Sequence, residues 1–292
     1  MHKIPVFYRP EQSCSVDVGF SPSAGKPALI VADWLSSPDI APYIEIETFL
    51  PVGDEVLCSA HDPSYVEGIF SGEIVNGFGN SSLEVAHSLR YTTGSMLAAC
   101  KHVLTARGQS HLKVACSPTS GFHHAGYDFS GGFCTFNGLM AAAIRVHTLG
   151  LAESILIIDM DVHAGNGTQD IMKVLGIDYI DHITNGSGYS DAVSAMKASN
   201  MLYPKGRDKH YDLVIYQAGA DMHIDDPLGG LLTTEQMQRR DVNVFRNCDI
   251  REIPIVFNLA GGYKTLANGS LGPVIALHRQ TMNECLKQGG FK

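Results

Sequence analysis

The run SILIIDMDVHAGNGTQ, residues 154–169, decides how this chain is read. Ile155, Leu156, Ile157 and Ile158 are continuously apolar with no two-residue alternation, the pattern of a parallel strand buried on both faces. The run then breaks into Asp159, Asp161 and His163, passes Gly165, and continues into residues 168–175, which have helical length and mixed faces. A strand, a loop rich in titratable groups and a helix make the first half of a βαβ unit.

Three further runs repeat the arrangement: residues 111–117 (HLKVACS), 211–217 (YDLVIYQ) and 253–259 (IPIVFNL). Helical patterns occupy 88–105, 137–148, 168–175, 234–247 and 272–286, and Thr233 with Gln236 reads as a capping box before the fourth of them. Strands alternating with helices predict an open, doubly wound, mainly parallel sheet between helical layers, a three-layer α/β/α fold. Ligands of such sheets bind outside the carboxyl ends of the strands. Residues 70–82 (FSGEIVNGFGNSS) are too many for a tight turn and suit the flank of a site.

The segments at the strand ends carry the functional reading. SPTSGFHHAG comes after the first strand, DMDVHAGNG after the second, AGAD after the third and AGGY after the fourth. If these strands are parallel neighbours, His123, His124, Asp159, Asp161, His163, Asp221 and Tyr263 converge at one end of the sheet. Singly each piece is weak, because Asp and Gly are ordinary turn residues and a lone His is more often a satisfied core or surface residue. Four coincidences at one topological position are harder to dismiss.

Asp161 and His163 are two apart, so in a locally extended segment both side chains point to one side and can grip one ion, with Asp221 as a third ligand. One His and two carboxylates with open positions suit a catalytic zinc, and also iron or manganese. A structural metal would show four closed ligands, often thiolates. Water beside such a metal needs a base, and histidine titrates near neutrality. In the tandem His123-His124, a carboxylate would hold one ring as an imidazolium and a neutral amide would leave the other free to move protons; Asp159 and Asn166 are available. Tyr263, after two glycines, can donate a hydrogen bond to a developing oxyanion.

GFHHAG, GGFCTFNG, DMDVHAGNGTQ, GADMHIDDPLGG and AGGY, in this order, resemble the motif set of the histone deacetylase family, which has the arginase-deacetylase fold. The resemblance covers residues 121–263, and HDPSYVEGI (61–69) extends it toward the N-terminus. It implies a zinc-dependent deacetylase with one zinc per chain, bound by Asp161, His163 and Asp221. It further implies His124 as general base and then acid, His123 as its electrostatic partner backed by Asp159, Asn166 holding His124, and Tyr263 polarising the carbonyl. Gly132 and Phe133 would line a narrow tunnel for a linear acyl-amine chain, with Leu228 at its rim. The resemblance also implies a potassium ion near Asp159, held by main-chain oxygens of Asp161 and His163.

The chain departs from the family in places. Asn166 stands where some branches have Asp, which predicts a lower pKa for His124 than in those relatives. Ala164 stands where many members have a further His. The N-terminal His-Pro motif appears as Phe20-Ser21-Pro22 with Lys26 after it, and Ile180-Asp181 replace a Ser-Leu pair in the cation-site loop.

Composition sets the outer limits. The 292 residues are 45% hydrophobic and 17% charged, against about a quarter charged in ordinary soluble domains, which predicts one well-buried domain over 1–292. MHKIPVFYRP lacks the features of a secretory signal, and no segment reaches the roughly 18 apolar residues of a membrane span, so a soluble, cytoplasmic protein is expected. Seven scattered cysteines without a C-x-x-C pair read as reduced thiols. A net charge of −9 argues against nucleic acid as a partner and suits a cationic acylated amine, either a small molecule or an acyl-lysine.

Three other readings are weaker. A two-metal ureohydrolase of the same fold needs carboxylates where this chain has Gly165 and His223. A non-catalytic binder of acyl-amines would be expected to have lost a ligand or the base. A serine or cysteine nucleophile has little support, since no G-x-S-x-G occurs and Cys134 reads as a packed thiol beside the tunnel.

Overall fold

The computed structural model describes residues 2–14, 21–106, 113–200 and 210–292. Among them seven strands form one sheet: β1 (Ile4–Phe7), β2 (Ile44–Glu47), β3 (Val114–Cys116), β4 (Ile155–Asp159), β5 (Ile180–Ile183), β6 (Leu213–Gln217) and β7 (Ile255–Asn258). Their order is β2-β1-β3-β7-β6-β4-β5, and every neighbouring pair is parallel. Helices α1 (Lys26–Ser36), α2 (Asp54–Leu57), α3 (Pro63–Ser71), α4 (Leu83–Thr105), α5 (Gly138–Thr148), α6 (Asn166–Val174), α7 (Ala192–Ser199), α8 (Thr234–Ile250) and α9 (Gly272–Gln288) cover the two faces.

The unbroken apolar runs have a direct cause. Ile155, Ile157, Leu213, Ile215 and Val256 face one core, with α2 to α6. Leu156, Ile158, Val214, Tyr216 and Phe257 face the other, with α1, α7, α8 and α9. Both faces of a strand are buried, so both must be apolar, and each large side chain removed from water contributes roughly 1.5–3 kcal/mol. The three-layer α/β/α reading therefore holds, with a sheet that is wholly parallel.

The four strands legible in the sequence are the adjacent central ones, β3, β7, β6 and β4. In the expected strand 111–117, His111 and Leu112 lie outside the described residues, and the strand itself is Val114–Cys116. Three strands were not singled out: β1 (IPVF), which is buried throughout, and the edge strands β2 (IEIE) and β5 (IDHI), which are half-exposed and mix charge with apolar residues. Helix α4 starts at Leu83, five residues before the expected 88, because Ser82 caps it by accepting from the Val85 N–H. The capping box expected at α8 forms: Gln236 N–H donates to Thr233 Oγ1 at 3.3 Å and Thr233 N–H to Gln236 Oε1 at 2.9 Å. Six of the seven cysteines are buried. Among the described residues no helix is long and apolar enough to cross a membrane.

Candidate active site

Because β3, β7, β6 and β4 are parallel neighbours, their carboxyl-terminal loops leave the sheet on one side, and the groups anticipated from the motifs meet there. Among the described residues, Asp161, His163 and Asp221 place one ligand atom each within 4.8 Å of one another. His163 Nδ1 lies 3.0 Å from Asp161 Oδ1 and 3.3 Å from Asp221 Oδ2. Two donors each about 2.0–2.1 Å from a tetrahedral zinc would stand roughly 3.3 Å apart, so the spacing suits that ion.

The chemistry of the donors agrees. Asp221 Oδ2 is buried with no hydrogen-bond partner, an expensive condition for a carboxylate oxygen unless a cation faces it. Burial, reinforced by the charge of Asp161, pushes the Asp221 carboxyl well above its usual range. The hydrogen bond to Asp161 and the nearby Asp221 carboxylate raise His163 to about 10. Two buried carboxylates and an imidazole thus crowd a position that a divalent cation would satisfy. The segment does not run extended as expected. It bends, with Asp161 Oδ1 accepting the His163 N–H at 3.0 Å, and this bend is what turns ring and carboxylate toward each other.

The tandem histidines separate by environment. His123 is 2% exposed, its Nδ1 lies 2.7 Å from Asp159 Oδ2, and its Nε2 faces Asp161 Oδ1 at 3.7 Å. Burial lowers its pKa, but Asp159 and Asp161 outweigh burial and hold it at about 9. The half-buried His124 places Nδ1 2.6 Å from the amide oxygen of Asn166, the first residue of α6. Burial and then the charge of His123 lower its pKa. Its ring centroid stands 4.1 Å from that of His123 and 5.8 Å from that of His163.

Tyr263 is 9% exposed, and burial followed by the Asp161 and Asp221 charges pushes its hydroxyl far above the ordinary phenol range, so it keeps its proton. The turn before it passes very close to the ligands. A Cβ on Gly261 would lie 2.1 Å from Asp221 Oδ2, and the Gly261 N–H donates to Asp161 Oδ2 at 2.9 Å. Fully buried Lys26 donates to the carbonyl of Ala260 in the same turn; burial, opposed by Asp221 and Asp161, lowers its pKa to about 8.

Gly132 and Phe133 adopt positive φ of 50° and 63°, which puts Gly132 against the His124 ring and Phe133 between Tyr263 and Phe78, at centroid distances of 5.8 and 6.0 Å. Phe78 belongs to residues 70–82, so that segment does flank the site. Leu228 is 41% exposed on the loop after Asp221. Of the Phe20-Ser21-Pro22 motif, Phe20 lies outside the described residues.

The potassium expectation meets a different arrangement. The hydroxyl of buried Tyr189 lies 2.5 Å from Asp161 O and 2.9 Å from Asp159 O, and Asn185 Nδ2 donates to Val162 O. The Asp159 carboxylate already receives His123 Nδ1, Gln217 Nε2 at 2.6 Å and Thr184 Oγ1 at 3.3 Å. The carbonyls of Asp159 and Asp161 and the Asp159 carboxylate thus already face protein donors.

Tyr189, Gln217, Thr184 and Asp226 escaped the sequence reading. Gln217 left one trace, a polar residue closing an otherwise apolar strand. Tyr189 and Thr184 come after the weak strand β5, and nothing in their local pattern marks them.

The chain is similar to known proteins in sequence and in fold. Residues 26–176 match the family model for the histone deacetylase domain. Histone deacetylase 2 of Arabidopsis thaliana is 31% identical over 202 residues, which cover 62% of this chain and 50% of that protein. Acetylpolyamine amidohydrolase of Mycoplana ramosa is 27% identical over 189 residues, 55% of this chain and 54% of that protein. The match thus spans about half the length of each of these relatives. The crystal structure of acetylpolyamine aminohydrolase from Burkholderia pseudomallei superposes with a TM-score of 0.72 at 16% identity, covering 97% of this chain and 99% of that chain, a likeness of fold.

Proposed function

The chain belongs to the histone deacetylase family, and from that premise we propose that residues 1–292 act as one catalytic domain hydrolysing the acyl-amide bond of a linear acylated amine with a single zinc ion. The observation that carries this reading is the convergence of Asp161, His163 and the buried Asp221 Oδ2, which forms no hydrogen bond, beside His124. Zinc held by these three residues would polarise the acyl carbonyl and lower the pKa of a water molecule.

The side chains around it supply the rest. The Asn166 amide oxygen accepts from His124 Nδ1, which leaves the Nε2 lone pair free to take a proton from the attacking water and return it to the departing amine. His123, kept cationic by Asp159, lends positive charge to a site where negative charge develops. The Tyr263 hydroxyl, held protonated, donates to the carbonyl oxygen as it gains charge. Gly132, Phe133 and Leu228 border the path of the acyl chain.

The substrate proposed is a small or flexible acylated amine, either an acetylated polyamine or an acetyl-lysine side chain, in preference to one peptide sequence or to nucleic acid. The net charge of −9 favours a cationic amine, and that advantage shrinks with salt. Seven scattered cysteines without a C-x-x-C pair suit a reducing, cytoplasmic setting. The test is kcat/KM of the zinc-loaded protein for an acetylpolyamine, a free acetyl-lysine derivative and several acetyl-lysine peptides at low and high salt. Salt-sensitive turnover of the small amines is expected. A salt-insensitive preference for one peptide would overturn the substrate class, and no turnover with zinc bound would overturn the enzyme.

A further inference from the structure

We propose that in this chain the hydroxyl of Tyr189 replaces the monovalent cation of the resembled family, so that the turn bearing Asp161 and His163 is held by protein donors alone. A turn that aims the carbonyls of Asp159 and Asp161 at one point gathers partial negative charge there, and something positive must face it: a cation, or an N–H or O–H group. Here the Tyr189 hydroxyl lies 2.9 and 2.5 Å from those oxygens.

Its position is built in. Tyr189 is 3% exposed and packs with Met160 and Met222 in one core. It closes a tight loop in which the Gly186 N–H donates to Tyr189 O at 2.7 Å, with Gly186 at φ 79°. The neighbouring carbonyls are served in the same way. Met160 O accepts from Arg240 Nη1 at 3.3 Å and Val162 O from Asn185 Nδ2, so the four consecutive carbonyls 159–162 each face a side-chain donor. Arg240 also binds Gly219 O at 2.7 Å, which ties the Asp161 turn to the Asp221 strand end with a buried guanidinium. On the β5 side of the turn, the groups nearest the Asp159 carboxylate are Thr184 Oγ1 at 3.3 Å and His182 Nε2 at 3.5 Å. The Tyr189 hydroxyl occupies the point between the carbonyl oxygens of Asp159 and Asp161.

Tyr189 is thereby a positioning residue: it fixes the backbone from which Asp161 and His163 project. The test uses the whole chain dialysed into tetramethylammonium chloride and titrated with potassium chloride at constant ionic strength, with Tm read in the presence and absence of a divalent-metal chelator. Crystals are soaked in thallium(I) in parallel. Expected are a flat Tm and no thallium between Asp159 O and Asp161 O. A rise of about 5 °C or more, the scale of a ligand near a hundred times its Kd, overturns the proposal, as does thallium at that point. The chelated arm does not depend on the zinc reading, so the two can fail separately. Tyr189→Phe, which keeps the ring, is expected to weaken zinc binding by roughly 10–100-fold, as loss of an outer hydrogen-bond partner does. Wild-type zinc affinity in a folded Tyr189→Phe protein would show that the hydroxyl does not hold the turn.

Discussion

Asp226 Oδ2 accepts the main-chain N–H of Tyr263 at 2.7 Å while its Oδ1 accepts that of Leu228 at 3.0 Å. One buried carboxylate thus joins the loop after β6 to the turn after β7 and sets where the Tyr263 ring begins. On the proposed reading, Asp226→Ala moves the hydroxyl away from the developing oxyanion without touching substrate. We expect kcat to fall by roughly tenfold to a hundredfold with little change in KM, and Tyr263→Phe to lose about a hundredfold or more. Steady-state kinetics of both variants check this; a change confined to KM contradicts it.

Asp221→Ala removes a buried ligand oxygen, Oδ2, that forms no hydrogen bond in the protein. Elemental analysis is expected to find about one zinc per chain in the wild type and almost none in the variant. Two metals per wild-type chain would point to the ureohydrolase arrangement.

Asn166→Asp would set a carboxylate against His124 Nδ1, now 2.6 Å from a neutral amide oxygen. An adjacent negative charge favours the imidazolium, so the His124 pKa rises and the base stays protonated to higher pH. The acidic limb of the kcat/KM profile should therefore move to higher pH, by about a unit or more. His124→Ala should lose several orders of magnitude while retaining metal, and His123→Ala less. An unmoved acidic limb would remove His124 from the role of base.

Gly132→Ala tests the wall beside that base. At φ 50° the new Cβ would meet His124 Cδ2 at 2.2 Å, so the ring must move. Activity is expected to fall by about a hundredfold, the scale of an ångström of misplacement, with zinc content unchanged. Full activity in the variant would show that the His124 position is not critical.

His61 makes stability depend on pH away from the site. Its Nδ1 donates to Gly126 O and its Nε2 accepts the Asn137 N–H, each at 2.8 Å, so the ring has one proton and no room for a second. Burial lowers its pKa from 6.5 to about 4. Between those values the unfolded chain binds a proton that the folded chain refuses, so stability falls as pH falls, by at most about 3 kcal/mol. Urea melts from pH 7 to 4.5 should show this loss, and His61→Gln should flatten it. An equal slope in both proteins would assign the effect elsewhere.

The sequence by itself determined the layered fold and the ligand and base candidates. A strand covered on both faces must be apolar throughout, and in a parallel sheet each such strand delivers its next residues to the same edge. Reading Asp159 to His163, His123-His124, Asp221 and Tyr263 off the strand ends therefore amounted to reading which groups meet at that edge. The edge strands β2 and β5 were illegible because they are short and half-exposed, and so carry no apolar run. What the tertiary structure alone decided are the partners: Tyr189 on the carbonyls of Asp159 and Asp161, Gln217 on the Asp159 carboxylate, Asp226 on Tyr263, Lys26 on Ala260. These groups come from distant parts of the chain, and a hydrogen bond depends on position within a few tenths of an ångström, which local residue patterns do not encode.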